Sequence, residues 1–372
     1  MRIGIDARMA GPEQSGIGRY VAEMIWHVAK RETNHEFVLF VRKEGKGLFS
    51  SLPKSWTLIE VDIPWYSLAE QVRLSRLIRA ARIDLMHFPH WNVPLFLRTP
   101  FVLTMHDLTM FRYPRLEAST HGPMVYALKQ AAARWIMRSA VRRAKHIITV
   151  SDWVKEDVHA VLHTPREKMT TIYQAPFSKP QNISAVQPLL SRYGITRPYV
   201  LCVGTAYPHK NLLNLLRAWQ EFCEVHTNEY QLVLVGKRTI FYDRLFQSQE
   251  MKNSRGVVFT DFVPDNELAV LYQAAALYVF PSKSEGFGLP LLEAMQYGVP
   301  IISSNQTSLP EIAGEGALYF DPNSPSDMCR ALVQGLTNED IRLQLKVQGK
   351  SELQRYSSET FAKETLRVYE DK

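Results

Sequence analysis

The sequence predicts an α/β protein built from two doubly wound parallel-sheet domains. Short apolar runs alternate along the chain with longer segments of helical period, a pattern typical of parallel sheets covered by helices. This pattern starts twice, at Arg2–Ile5 and at Tyr199–Val203, and each start is a strand, a glycine-containing loop and a helix. The length of 372 residues agrees with two domains.

The first half begins with the strand Arg2–Ile5. This strand leads into a loop that contains four residues typical of turns, Gly11, Pro12, Gly16 and Gly18. A helix is predicted from about Tyr20 to Lys30. Further strands are predicted where apolar residues cluster, at Glu36–Val41, Thr57–Val61, Leu85–Phe88, Phe101–Thr104 and His146–Val150.

The second half repeats the pattern, with Gly204 after its first strand and a helix from about Asn211. Its further strands are predicted at Gln231–Val235, Val257–Phe259, Leu277–Phe280, Pro300–Ser303 and Ala317–Phe320. The segment Tyr173–Pro198 lacks continuous periodicity and is predicted to be a linker because it carries Pro176, Pro180, Pro188 and Pro198. We therefore expect two domains, 1–177 and 195–356, that face a central cleft lined by the carboxyl ends of both sheets.

The composition excludes several classes of protein. Hydrophobic residues make up 46% and charged residues 22%, which excludes a disordered or collagen-like chain. The three cysteines, Cys202, Cys223 and Cys329, are too few and too far apart for a disulfide framework or a zinc module. The N-terminus lacks the apolar run of a signal peptide, and nowhere are there about 18 consecutive apolar residues. A cytoplasmic protein is expected.

The positive charge admits several partners. Lys and Arg number 44 against 37 Asp and Glu, a net charge of +7, which favours nucleic acid, anionic lipid or a phosphorylated small molecule. The chain has no zinc-finger spacing, no aromatic RNA-binding signature and no helix-turn-helix pattern. We therefore expect no nucleic-acid partner.

The most informative stretch is Pro281–Pro300, with the sequence PSKSEGFGLPLLEAMQYGVP. A strand ends before it, a polar glycine-bearing loop follows, and a helix is predicted from Leu289. Backbone N–H groups at such a helix start form an anion site suited to phosphate. Glu285 lies in the loop and Glu293 about one turn into the helix, where carboxylates accept hydrogen bonds from vicinal hydroxyls. Taken singly, the two glutamates would be a loop charge and a solvated helix face.

This stretch resembles the signature of retaining glycosyltransferases of family 4, which have the GT-B fold of two Rossmann-like domains. Their two glutamates are separated by seven residues, as Glu285 and Glu293 are, within an EGFGLPxLEAM-like run. Other segments are similar to the same family: SGIGRY (15–20), VGTAYPHKN (203–211), LVLVGK (232–237), FVPDNELAVLYQAA (262–275) and SLPEIAG (308–314).

The resemblance implies a role for each matching residue. Glu285 would hold the hydroxyls of the donor sugar and Glu293 the ribose of a nucleotide-sugar donor. Lys210 and Lys237 would stabilise the departing diphosphate, because the chain has no D-x-D pair to bind a metal. No cofactor and no metal are therefore expected. The remaining donor contacts would come from Gly16, Gly18, Gly204, Gly236, Gly286, Phe287, Gly288 and Leu289.

His106 follows a predicted strand and is expected at the carboxyl edge of the first sheet. The resemblance implies that it contacts the transferred sugar; alternatively it is a structural histidine, with Asp107 as its partner or as a helix cap. Gly16 and Gly18 alone do not make a dinucleotide fingerprint, since Val21 occupies the third glycine position.

Two basic segments suggest a further partner. Arg134, Arg138 and Arg142 are spaced by four, which places them on one face of a predicted helix, and a second cluster surrounds LIRAAR (77–82). Each segment is either an interfacial helix that contacts anionic lipid on the inner face of the cell membrane or an ordinary amphipathic helix with a basic solvent side. A last helix, from residue 357 to 372, is expected to pack back on the N-terminal domain.

The predicted function is transfer of a hexose from a nucleotide sugar to a glycan or lipid-linked saccharide, with retention of configuration and without metal. The segments GIGRY and VGT…KN are similar to bacterial mannosyltransferases of surface-polysaccharide synthesis, which implies GDP-mannose as the donor. Two alternatives share this architecture: a nucleotide-sugar epimerase and a catalytically inactive lipid-binding scaffold. An NAD-dependent oxidoreductase would require the missing dinucleotide fingerprint.

Overall fold

The computed structural model describes residues 1–11, 15–113, 123–177, 185–226 and 229–370. The chain divides into two compact units, Met1–Ala175 with Ser357–Lys372, and Pro176–Tyr356. The first unit is therefore discontinuous in sequence, and the predicted last helix belongs to it. Two residues of the predicted loop and linker, Pro12 and Pro180, lie outside the described residues.

The first unit is built on a parallel sheet. Its strands in chain order are β1 (Arg2–Asp6), β2 (Glu36–Val41), β3 (Trp56–Glu60), β4 (Leu85–Phe88), β5 (Phe101–Met105), β6 (His146–Thr149) and β7 (Met169–Thr171). Within the described ranges the sheet has seven strands in the order β3-β2-β1-β4-β5-β6-β7. The direction of winding reverses between β1 and β4, which makes that pair the topological switch point where ligands bind in such sheets.

The second unit repeats this plan. Its strands are β8 (Tyr199–Val203), β9 (Gln231–Val235), β10 (Val257–Asp261), β11 (Leu277–Phe280), β12 (Ile301–Ser304) and β13 (Ala317–Phe320). They pair in parallel in the order β10-β9-β8-β11-β12-β13, so the switch point falls between β8 and β11. The predicted α/β class with two Rossmann-like parallel-sheet domains is confirmed.

Helices connect the strands in both units. In chain order they are α1 (Ser15–Ala29), α2 (Ser75–Ala80), α3 (Thr109–Arg112), α4 (Pro123–Arg143), α5 (Asp152–Leu162), α6 (Val186–Arg192), α7 (Leu212–Val225), α8 (Ile240–Gln247), α9 (Gln249–Asn253), α10 (Asp265–Ala274), α11 (Leu289–Gln296), α12 (Leu309–Ala313), α13 (Pro325–Thr337), α14 (Glu339–Leu353) and α15 (Ser358–Glu370). Side-chain caps define several starts; the Ser151 hydroxyl, for example, accepts a hydrogen bond from the Val154 amide at 3.1 Å.

Each unit has its own apolar core. In the first unit α1 and α15 pack together and bury Tyr20, Phe361 and Tyr369 against the sheet. In the second unit α7 and α13 pack together and bury Trp219 and Leu332. Because the buried faces recur at helical spacing, the amphipathic pattern of the sequence is sufficient to orient these helices.

The returning helix α15 is tied to the first sheet by a buried polar chain. His87 Nδ1 lies 2.7 Å from the Tyr369 hydroxyl, and His87 Nε2 lies 2.8 Å from Thr104 Oγ1. The Tyr20 hydroxyl contacts the same Thr104 at 3.2 Å. Burial, with a smaller contribution from neighbouring His106, lowers the pKa of His87 to about 3. The imidazole is therefore neutral at physiological pH and fully hydrogen-bonded.

The structure differs from the predicted elements in three places. Helix α1 begins at Ser15, so Gly16 and Gly18 lie in its first turn and not in a loop; the first helical turn tolerates glycine because its amides lack intrahelical partners anyway. The linker contains α6, whose Pro188 is accommodated in the first turn for the same reason. Strand β7 is missing from the prediction because three residues show no clear period.

Acid should destabilise the first unit. Burial also lowers the pKa of His90 to about 3, so between pH 6.5 and 3 only the unfolded chain binds protons at His87 and His90. The contribution of these two histidines to the free energy of unfolding is therefore fully present above pH 6.5. It is lost as the pH falls through this window, by about 1.4 kcal/mol per pH unit for each such proton. Urea unfolding at pH 7.5, 6 and 5 measures this slope, and tryptophan fluorescence follows mainly this unit because it holds six of the 7 tryptophans.

The matched variant is His87→Gln, which cannot take up the proton. Its pH slope should be shallower than that of the unaltered chain, whatever its stability at pH 7.5. Parallel slopes for the two chains would contradict the assignment of the slope to His87.

Candidate active site

A small pocket lies at the switch point of the second sheet. It is lined by Gly204 and Thr205 after β8, by Pro281 and Ser282 after β11, and by Lys210. Two predicted site residues, Gly204 and Lys210, therefore lie where doubly wound sheets bind their ligands.

Lys210 and Glu285 form the central contact of this site. The Lys210 ammonium nitrogen lies 2.5 Å from Glu285 Oε1, and both side chains are largely shielded from solvent. The ammonium also lies 5.7 Å from the centre of the Phe280 ring, within the range of a cation–π contact. The structure thus brings together two of the residues that the sequence predicts.

Local hydrogen bonds fix where Lys210 lies. Asn211 adopts a left-handed backbone with φ of 63°, which ends the short turn before α7. Its buried side-chain amide donates to the Pro281 carbonyl at 3.1 Å, and the Lys283 amide donates to the His209 carbonyl at 2.7 Å. The segment that carries Lys210 and the loop that carries Glu285 are therefore joined directly.

The loop between β11 and α11 contains three of the predicted donor contacts, Gly286, Phe287 and Gly288, and a fourth, Leu289, is the first residue of α11. Gly288 has φ of 107°, and a Cβ there would lie 3.0 Å from a Leu309 methyl carbon, so both backbone and space favour glycine. The buried Ser308 hydroxyl lies 3.1 Å from the carbonyl oxygens of Glu285 and Phe287. The loop conformation is thus fixed from the segment between β12 and α12.

Glu293 is not a solvated helix face. It lies in α11 with 8% of its surface exposed, and its Oε2 accepts a hydrogen bond from the Tyr272 hydroxyl at 2.7 Å. Burial and the adjacent carboxylate raise the pKa of Tyr272, so the phenol keeps its proton and donates it. Glu293 is therefore a buried group with a dedicated hydrogen-bond donor and not a surface charge.

The carboxyl end of β9 holds two further predicted residues. A Cβ at Gly236 would lie 1.9 Å from the Gly204 carbonyl oxygen, so the close approach of two backbones requires glycine at 236. Lys237 is exposed, and its ammonium forms no ion pair with any described residue. The structure therefore does not bring Lys237 into contact with the Lys210–Glu285 pair.

His106 lies at the carboxyl edge of the first sheet, directly after β5. Its Nε2 donates to the Pro89 carbonyl at 2.9 Å, and its ring packs edge-on against Tyr20 at 4.6 Å between centroids. Burial lowers the pKa of His106, which keeps the imidazole neutral. Asp107 Oδ1 accepts a hydrogen bond from the Thr109 amide at 2.8 Å, at the entry to α3, whose N-cap position is occupied by Leu108.

Comparison with known proteins decides the family. Residues 192–352 match the model for glycosyl transferases group 1, and residues 14–175 match the model for glycosyltransferase family 4. The chain is 30% identical to O-antigen chain mannosyltransferase B of Escherichia coli over 377 aligned positions, which cover 95% of this chain and 96% of that relative. The chain is a family 4 glycosyltransferase. It is accordingly an enzyme of the hexosyltransferase class.

Other relatives of this glycosyltransferase agree. O-antigen chain mannosyltransferase RfbU of Salmonella typhimurium is 30% identical over 70% of this chain and 67% of its own length. Among solved structures, sucrose-phosphate synthase from Thermosynechococcus elongatus has a TM-score of 0.75 at 18% identity, covering 100% of this chain and 98% of its own. Anabaena HepE in complex with UDP and glucose has a TM-score of 0.75 at 16% identity, covering 100% and 99%. The structural likeness shows the GT-B fold.

Some residues of this glycosyltransferase site are absent from the sequence prediction. Tyr272, Asn211 and Ser308 each form a side-chain bond that shapes the site. The only sequence signal for them is their place inside segments similar to the family, because a hydrogen bond between residues far apart leaves no spacing pattern. Among the described residues, no group of three or more His, Cys, Asp or Glu side chains is placed to hold a metal ion.

The basic helix of this glycosyltransferase differs from its prediction. Arg134 is half-buried, with its guanidinium 5.4 Å from the centre of the Phe111 ring, so it does not share the exposed face of Arg138 and Arg142. Arg143 donates to the carbonyls of the segment 94–97 and is a structural residue. No helix in the described parts of the chain is long and apolar enough to cross a membrane.

Proposed function

We propose that this glycosyltransferase transfers mannose from GDP-mannose to a glycan or lipid-linked saccharide during surface-polysaccharide synthesis. In this proposal the reaction retains the configuration of the sugar and needs no metal. The observation that carries it is the Lys210–Glu285 pair at the switch point of the second unit. The choice of mannose is supported by two relatives that are O-antigen mannosyltransferases.

Lys210 is proposed to bind the diphosphate of the donor. An anion carrying more than one negative charge competes with a single carboxylate for the ammonium, so the donor would draw Lys210 from Glu285. An ammonium about 4 Å from a charge that develops as the sugar leaves is worth about 4 kcal/mol at an effective dielectric constant near 20. Glu285, released by this exchange, would then accept hydrogen bonds from the donor sugar's hydroxyls.

Glu293 is proposed to hold the ribose hydroxyls of the nucleotide. The Tyr272 hydroxyl fixes the rotation of this carboxylate, so that its acceptor lone pairs have a defined direction. Binding of a nucleotide sugar in this fold is supported by Anabaena HepE, which is solved with UDP and glucose. The contributions of Lys237, of Gly16 and Gly18 in α1, and of the loop glycines remain predictions.

The proposed mechanism is substitution on the front face of the sugar. The bond between the anomeric carbon and the phosphate oxygen breaks, and the acceptor hydroxyl forms the new bond on the same face. The departing phosphate takes the proton of that hydroxyl, so no separate base is required. Neutral His106, in the first unit, is proposed to contact the transferred sugar and to position it for the acceptor.

Helix α4 is proposed to touch the anionic inner face of the cell membrane. Met124, Leu128 and Trp135 are 77%, 67% and 61% exposed, and their spacing places them on one helical face with Arg138 and Arg142. Exposed apolar side chains flanked by arginines are typical of helices that lie at a lipid surface. This contact would hold the enzyme at the cytoplasmic side of the membrane, close to a lipid-linked acceptor.

Replacing both Leu128 and Trp135 by Glu should release the protein from anionic vesicles, because each change puts a carboxylate where an apolar side chain would enter the lipid. Cosedimentation with phosphatidylglycerol vesicles should fall several-fold relative to the unaltered chain. Leu343→Glu, at an exposed position of α14 in the other unit, should sediment normally. Equal sedimentation of all three proteins would refute the membrane contact.

Lys210→Ala should lower the turnover of GDP-mannose by about three orders of magnitude, since it removes the charge that stabilises the leaving diphosphate. Hydrolysis of GDP-mannose by water, measured as GDP release, tests this without knowledge of the acceptor. Proton NMR of the first mannose released should show the α anomer, as retention requires, and a metal chelator should leave the rate unchanged.

Lys252→Ala is the matched control, because it removes an equal charge from an exposed position in α9. It should hydrolyse GDP-mannose at the normal rate. Near-normal turnover of the Lys210 variant would contradict the role of this ammonium, a first product with the β anomer would contradict retention, and inhibition by the chelator would contradict metal independence.

Tyr272→Phe should weaken the discrimination between GDP and 2′-deoxy-GDP by about tenfold. The variant loses the hydrogen bond that orients Glu293, and a bond to a charged group contributes about 1.5–3 kcal/mol. GDP affinity should fall while 2′-deoxy-GDP affinity changes little. Calorimetric titration of both nucleotides measures the ratio directly.

The control for this variant is Tyr199→Phe. The Tyr199 hydroxyl donates to the Leu271 carbonyl at 2.7 Å, so the substitution removes one buried hydrogen bond to the same helix α10 without touching Glu293. Its nucleotide ratio should match the unaltered enzyme. If both tyrosine variants shift the ratio alike, Tyr272 acts through general stability and not through the ribose site.

A further inference from the structure

Three aromatic rings gather at the switch point of the first sheet. Tyr66 follows β3, while His90 and Trp91 follow β4. The ring centroids of Tyr66 and Trp91 are 5.5 Å apart, those of His90 and Trp91 4.9 Å, and those of Tyr66 and His90 6.2 Å. We call these three side chains the aromatic platform; 57% of the surface of Tyr66 is exposed.

The backbone of Tyr66 is held in an unfavourable conformation. Its φ is 58°, a left-handed value that a bulky residue adopts only when the surroundings impose it. Its amide donates to Glu70 Oε2 at 2.8 Å, and Glu70 begins a π-helical turn, Glu70–Leu74, ahead of α2. Strained backbone and π-helical turns are both more frequent at functional sites than elsewhere.

A buried ion network holds the two segments that carry the platform. The Arg8 guanidinium binds Asp6 Oδ2 at 2.7 Å and Glu70 Oε1 at 2.6 Å, and both Arg8 and Glu70 are buried. Asn92 Nδ2 donates to Glu70 Oε2 at 2.7 Å. Glu70 thus fixes the segment before it through Tyr66 and the segment after β4 through Asn92, at the cost of burying charge.

Asn92 offers an unused acceptor beside this platform. Because its Nδ2 donates to a carboxylate, which has no proton to give, the orientation of the amide is determined and Oδ1 is the other atom. This oxygen is buried and accepts no hydrogen bond from the residues that the structure describes. Buried acceptors are seldom left without a donor in proteins, so the missing donor is expected to be a hydroxyl or amide of a ligand.

The platform is adjacent to the proposed sugar contact. His106 Nε2 donates to the carbonyl of Pro89, the residue directly before His90. His90 is neutral, since burial and the neighbouring His106 lower its pKa to about 3, so the platform presents uncharged rings. A neutral aromatic surface with a buried amide oxygen suits the C–H face and hydroxyls of a sugar better than a phosphate or a bare alkyl chain.

We propose that Tyr66, His90, Trp91 and Asn92 form a saccharide subsite that binds one sugar ring of the acceptor. The ring stacks on the aromatic platform, and one of its hydroxyls donates to Asn92 Oδ1. The inference rests on the proposed function in that it takes the acceptor to be a saccharide. It adds which residues of the first unit recognise that saccharide.

Titration with methyl α-mannoside and α-linked mannobiose, followed by saturation-transfer NMR, tests the subsite in the full-length protein. The methyl glycosides of glucose, galactose and N-acetylglucosamine complete the panel. At least one saccharide should bind with transfer to its ring C–H protons, and Trp91→Ala and Tyr66→Ala should each weaken that binding about tenfold. Trp91→Phe should bind nearly as well as the unaltered chain, because it keeps an aromatic ring.

Leu68→Ala is the matched control, since Leu68 is 88% exposed in the same segment and lies outside the platform. GDP titration of every variant should give the unaltered affinity, because the proposed nucleotide site lies in the second unit. Urea unfolding followed by tryptophan fluorescence shows that the first unit of each variant is folded. Absence of binding by all the saccharides, or equal binding by Trp91→Ala and the unaltered protein, would overturn the subsite. If saccharides bind through the platform while GDP-mannose is not hydrolysed, the proposed function fails and the subsite stands.

Discussion

The contact between the Lys210 ammonium and the Glu285 carboxylate is the interaction on which the second unit's site depends. The two residues are 75 positions apart, and only the pairing of β8 with β11 brings their loops to the same sheet edge. Once there, the Asn211 amide and the Ser308 hydroxyl fix the two loops. Glu285 neutralises a partly buried ammonium that would otherwise be an isolated cation. An anion that carries more than one negative charge could displace this carboxylate from Lys210.

The first unit applies the same physical principle at its own switch point. A buried guanidinium, Arg8, is placed between two carboxylates, and the loops after β1, β3 and β4 are organised around it. Removing charged side chains from water is unfavourable. Buried ion pairs are therefore found mainly where their hydrogen bonds hold neighbouring segments in position. In both units the ionic contact lies at the topological switch point of the sheet, between β1 and β4 in the first unit and between β8 and β11 in the second.

Much of this fold follows from local features of the sequence, and much of the site does not. The apolar runs of β1, β2, β4, β8, β9 and β11 predict those strands closely, because a strand buried on both faces must be apolar throughout. Glu285 and Glu293 are found from a contiguous motif. The Arg8–Glu70 pair spans 62 positions and the Tyr272–Glu293 bond 21, and no local period encodes either. Lys237 lies in a matching segment but outside the Lys210–Glu285 contact, and its role toward the diphosphate stays a prediction.

Helix α15 has a consequence for how the chain is made. Tyr369 completes the hydrogen bonding of a histidine inside the first sheet, and Phe361 fills the same core, yet both are synthesised after the entire second unit. The amino-terminal unit therefore leaves the ribosome with an uncovered apolar face and an unsatisfied imidazole, and it matures only when the carboxyl-terminal residues emerge. Separate expression of the first unit would require that α15 be joined to the segment Met1–Ala175.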